Sequence, residues 1–130
     1  MSNRIRAGVA TLALLFAADA FAGANDYRFE AAGQPQKAPD GKSIVPLRLV
    51  RIADGKPVSG AVVIQTKADM SPMSMPEMTA PIRALGESEP GVYRFEIQPG
   101  MAGPWAVSLA AKVQGEAETV HGAVTVQLAK

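Results

Sequence analysis

The sequence predicts an all-β protein built as an antiparallel β-sandwich of about seven strands. Three observations predict it. Apolar and polar residues alternate with a period of two in several short segments. Turn residues recur roughly every eight to twelve positions, and no segment carries a long helical repeat.

Tyr27 to Ala31 reads as the first strand, followed by a strand on Val45, Leu47 and Leu49 and another on Val62 and Ile64. Pro81 to Leu85 reads as a short edge strand. The clearest segment sets Tyr93, Phe95 and Ile97 against Arg94, Glu96 and Gln98, one face for the core and one for water. Trp105, Val107, Leu109, Ala111 and Val113 repeat the pattern, as do Val120, Val124, Val126 and Leu128. Asp40-Gly41, Asp54-Gly55, Pro90-Gly91 and Pro99-Gly100 supply the fixed or positive φ that chain reversals need.

Before these strands the chain carries Arg4 and Arg6, an apolar run of 12 residues from Ala7 to Ala18, and Ala20-Phe21-Ala22. This order is that of a secretory signal peptide cleaved after Ala22. The run is shorter than the roughly 20 apolar residues of a membrane span, and no later segment approaches that length. The expected product is residues 23–130, one domain, free in the periplasm and not membrane-spanning. Losing Arg4, Arg6 and Asp19 leaves 11 basic and 11 acidic residues, so no basic field exists for nucleic acid or anionic lipid. The chain has no cysteine. Its core must hold by packing alone, and any metal site must use ligands other than thiolates.

Residues 69–78 read Asp-Met-Ser-Pro-Met-Ser-Met-Pro-Glu-Met and hold Met70, Met73, Met75 and Met78, four of the six methionines in the chain. Pro72 and Pro76 exclude a regular helix or a central strand, so the segment is expected to be a loop. Apolar side chains concentrated in a loop call for a cause. A thioether is a soft, neutral donor that stays unprotonated at any pH and prefers Cu(I) or Ag(I) to Zn(II) or Mg(II). Two other causes stay open: methionines filling an irregular gap, and an adaptable apolar surface for a partner protein.

If successive strands alternate in direction, the 99–103 loop returns to the end that carries this segment. Met101 then joins the cluster, and Trp105 begins its strand nearby, where its indole face can cover a cation. By the same parity His121, the single histidine, falls at the far end in an outward phase and is not expected to be a ligand. Trp105 also reads as a core residue, and Tyr93, after Pro90-Gly91-Val92, resembles a tyrosine corner whose hydroxyl bonds back to the preceding loop. Asp69 and Glu77 read as solvated loop charges.

Catalysis finds no support: there is no cysteine nucleophile, no partner for the lone histidine, no phosphate-cradling glycine loop and no zinc-protease helix. The chain is expected not to be an enzyme.

Met73-Ser-Met75-Pro-Glu-Met78, Gly91-Val92-Tyr93 and Met101-Ala-Gly103-Pro-Trp105-Ala-Val107 resemble the YtkA-like and FixH-like family of small exported or membrane-anchored bacterial proteins, over residues 44–128. The resemblance implies an immunoglobulin-like sandwich and an association with copper handling, heavy-metal efflux or oxidase assembly. Met73, Met75, Met78, Met101 and Trp105 match its pattern, and Met70 extends it. The cleavable leader departs from the membrane anchor of FixH-like members. The leading expectation is a periplasmic carrier or sequestering protein for Cu(I) or Ag(I), serving an efflux or oxidase-assembly protein. The alternative is a metal-free interaction module that uses the methionine segment as its contact surface.

Overall fold

The computed structural model describes residues 24–129. The expected leader lies outside the described residues. Nine strands follow in order: β1 (Tyr27–Ala31), β2 (Gln36–Lys37), β3 (Ser43–Arg51), β4 (Val62–Met70), β5 (Met75–Ala80), β6 (Ile82–Glu89), β7 (Val92–Ile97), β8 (Gly103–Lys112) and β9 (Val120–Leu128). The two beyond expectation are the two-residue β2 and β5, which occupies part of the methionine segment.

Period-two alternation explains the layers. Val45, Leu47 and Leu49 of β3 and Phe95 and Ile97 of β7 point inward from one sheet; Trp105, Val107, Leu109 and Ala111 of β8 point inward from the other. The first sheet has the order β1-β3-β7-β6, with β2 paired to β3, and the second has the order β5-β4-β8-β9; every pairing is antiparallel. The expected all-β antiparallel sandwich is what the chain forms. Phe29 of β1 closes one side of it against Gly122 of β9, where an added Cβ would stand 2.7 Å from the phenyl ring. On the other side β5 and β6 are almost one extended run, and the chain changes sheets at Pro81. The edge strand expected at Pro81 to Leu85 is β6, longer than expected and at the edge of its sheet.

Two local expectations change. Val62 and Ile64 were the apolar positions of their strand, yet they are 61% and 49% exposed. The register of β4 on β8 shifts between Val63 and Gln65, so Ile64 is an extra residue that inverts the phase of the strand. Beyond the bulge Thr66, Ala68 and Met70 share one phase, and Ala68 and Met70 are buried.

Tyr93 does lock a corner, but not to the loop before it. Its hydroxyl donates to the Val58 carbonyl at 2.7 Å and accepts from the Ala61 amide at 3.0 Å, which ties down the connection from β3 to β4. Burial pushes the phenol above its ordinary value. Nearby, Gly91 has φ +82° and faces Pro57 so closely that a Cβ there would lie 2.4 Å from the proline Cβ. Of the turn glycines, Gly41, Gly55 and Gly91 take positive φ. Asp40 and Asp54 support the first two by accepting amides two residues on, each at 3.1 Å.

Candidate functional site

The antiparallel ladder sets Asp69, near the end of β4, opposite Ala106, near the start of β8. The connection from β4 to β5 and the 98–102 loop therefore share one end of the sandwich. This is the juxtaposition that alternating strand direction leads one to expect.

The methionine segment is not a loop but a hairpin. Ser71–Met73 forms one 3-10 turn with Pro72 near its start, and Ser74 reverses the chain at φ 60°, the single positive-φ residue other than glycine among the described residues. The Ser74 amide donates to the Ser71 carbonyl at 2.8 Å. Met75 then opens β5, an edge strand, where Pro76 costs no ladder bond to a second neighbour. The pairing runs Asp69 with Thr79 and Met70 with Met75. One step on β4 thus spans four on β5, and Pro76, Glu77 and Met78 stand outside the ladder as a bulge.

Asp69 organises the turn. It is 6% exposed, and its Oδ1 accepts the Ser71 amide at 2.8 Å while Oδ2 lies 3.6 Å from Lys67 Nζ. Hydrogen bonds from the Ser71 side chain and backbone hold the carboxyl below the usual carboxylate range, with a smaller contribution from Lys67 and opposition from burial. Asp69 is therefore a built-in acceptor, not the solvated charge that its composition suggests. Glu77 is exposed, as expected.

The five candidate thioethers divide by environment. Met70 is fully buried at 0% exposure, and Met75, its direct partner across the hairpin, is half-buried against the same core. Met73, Met78 and Met101 are 50%, 37% and 38% exposed. Room for Met70 comes from Gly103, at φ +142°, where a Cβ would stand 3.0 Å from the Met70 methyl. Met70 therefore packs as a core side chain, whereas Met73, Met78 and Met101 are partly open to water.

Trp105 is fully buried, so the core role is the one the structure assigns to its ring. Its indole N–H reaches the Met101 carbonyl at 3.1 Å and so connects the core to the 98–102 loop. His121 pairs with Ala110 on β8, seven ladder steps from Gly103 at the methionine end, or about 23 Å along the strand. It is exposed and lines an open depression with Gln65, Lys67 and Ser108.

Sequence reasoning missed the Asp69 acceptor, the three-residue bulge and the packing role of Met70. Two signals were present. An aspartate two residues before Ser71 is the pattern of an Asx turn, and the phase of Ala68 carries Met70 inward.

Among the described residues no helix is long and apolar enough to cross a membrane, and no group of three or more His, Cys, Asp or Glu side chains converges. Comparison with curated proteins and with solved structures returned no match. The profile of one family, described as YtkA-like, matches residues 21–110, a span that contains the hairpin, Met101 and Trp105. With more than half of its length matched, the chain belongs to the YtkA-like family.

Proposed function

We propose that this is an exported, non-catalytic binding protein that captures a soft monovalent metal ion, Cu(I) or Ag(I), at the methionine end of the sandwich. The observation that carries the reading is the exposure of Met73, Met78 and Met101, whose segments the strand register puts at one end of the sandwich. Full burial of a methionine side chain is worth about 1.5–3 kcal/mol, and these three, at 37–50% exposure, forgo part of it. Three at one end of a domain that buries Trp105, Phe95 and Met70 completely call for a compensating role. Neutral thioethers suit a soft cation of low charge and offer nothing to offset the desolvation of Zn(II) or Mg(II).

In this reading Met73, Met75, Met78 and Met101 are the ligands. Met70 and Gly103 seat the hairpin, and Asp69 holds its turn. The bulge at Pro76, Glu77 and Met78 leaves Met78 outside the ladder, and Trp105 anchors the backbone of Met101. The leader sends the chain to the periplasm, where it carries or sequesters the ion for an efflux or oxidase-assembly protein.

Titrating residues 23–130 with Ag(I), while following methionine methyl resonances, tests the reading. The methyls of Met73, Met78 and Met101 should shift and zinc should leave them unmoved. Unchanged methyl resonances would favour a metal-free interaction module, for which the same exposed side chains would be the contact surface.

A further inference from the structure

The cluster is split by solvent exposure, and this split has a chemical consequence separate from cation binding. A thioether sulfur takes one oxygen atom from a two-electron oxidant such as hydrogen peroxide or a hypohalous acid. The sulfur loses two electrons and gains an S–O bond; with peroxide the O–O bond breaks and water leaves, and with a hypohalous acid the O–halogen bond breaks and halide and a proton leave. Attack follows access. Met73, Met78 and Met101 are open to such an oxidant, whereas Met70 is sealed between the sheets with its methyl against Gly103. The chain has no cysteine to intercept the oxidant first, and Trp105 is fully buried.

A sulfoxide differs from a thioether in what it offers a cation. Its sulfur lone pair is a poorer donor, and its oxygen is a hard donor mismatched to Cu(I) or Ag(I). On the solvent-facing residues the added oxygen meets water, so the sandwich has no reason to unfold. On Met70 the same oxygen would be a buried polar atom without a partner.

We infer that Met73, Met78 and Met101 form an oxidation-controlled modification site. Sulfoxidation by peroxide or hypohalous acid switches soft-cation capture off while the fold persists, and methionine sulfoxide reductases switch it back on, a dithiol supplying two electrons and becoming a disulfide while the oxygen leaves as water. The inference rests on the soft-cation reading of this end of the molecule.

Graded treatment of residues 23–130 with hydrogen peroxide, peptide mass mapping and Ag(I) titration test it. Oxygen should enter at Met73, Met78 and Met101 well before Met70, with Met75 between. Ag(I) affinity should fall by at least about tenfold, the melting transition should stay cooperative, and reductase treatment should restore binding. The triple variant Met73→Gln, Met78→Gln and Met101→Gln, a polar stand-in for the sulfoxides, should fold and bind Ag(I) equally poorly. Early oxidation of Met70, or undiminished Ag(I) binding once the three are oxidised, would overturn the switch alone. Failure of the untreated protein to bind Ag(I) would overturn the cation reading and the switch with it.

Discussion

The indole N–H of Trp105 donates to the main-chain carbonyl of Met101 over 3.1 Å, which joins a fully buried ring to a residue that is 38% exposed. Trp105 is the single tryptophan, so tryptophan emission reports on this one ring and its surroundings. Ag(I) bound at the methionine end should change that emission, and zinc should not. Met101→Leu keeps the carbonyl and therefore the hydrogen bond, but removes the sulfur. It should weaken the Ag(I) response without altering the emission of the free protein. His121→Ala, about 23 Å away along β8 and β9, should leave both unchanged.

Met70 and Met73 are three positions apart and should behave oppositely in stability. Met70→Ala opens a cavity beneath the hairpin and should cost about 2–5 kcal/mol. Met70→Leu keeps most of the volume and should cost less than about 1.5 kcal/mol. Met73→Ala should stay within about 0.5 kcal/mol of the parent. Denaturant unfolding distinguishes the three, and a mild effect of Met70→Ala would show that Met70 is not a core residue.

Gly91→Ala meets two obstacles at once: a backbone at φ +82° and a proline ring with no room for another carbon. A loss of about 2–4 kcal/mol is expected, combining strain and overpacking. A thermal melt near that of the parent would mean that the turn can relax away from Pro57.

Glu87 should shape the acid limb of stability. Its Oε2 accepts the Gly91 amide at 2.7 Å and its Oε1 accepts the Gly60 amide at 3.1 Å. The Gly91 bond, followed by the Ser59 side chain, holds its carboxyl below the ordinary value. A depressed folded value binds the proton less readily than the unfolded chain does. The stabilisation is therefore complete above the ordinary glutamate range of about 4.3 and is lost as pH falls through the folded value. Glu87→Gln should lower stability at neutral pH and flatten the decline as pH falls below the ordinary glutamate range. Parallel acid limbs for variant and parent would contradict it.

The sequence by itself determined seven of the nine strands, because period-two alternation is a local property of each of those segments. Phe95 and Ile97, or Trp105 and Val107, declare their inward face without knowledge of any partner. It also determined which end these loops occupy, since antiparallel partners run in opposite directions; Met101 and the methionine segment share one end, and His121 lies toward the other. What only the tertiary structure decided is which methionines are core and which are open. A bulge inserts residues without leaving a mark in composition, and each inserted residue inverts the faces that follow. Ile64 does this in β4, putting Val62 in water and keeping Met70 in phase with Ala68, and Pro76, Glu77 and Met78 leave the ladder of β5 in the same way. The space that seals Met70 was likewise out of reach of the sequence, because it exists only where the missing side chain of Gly103 meets a residue more than thirty positions earlier in the chain.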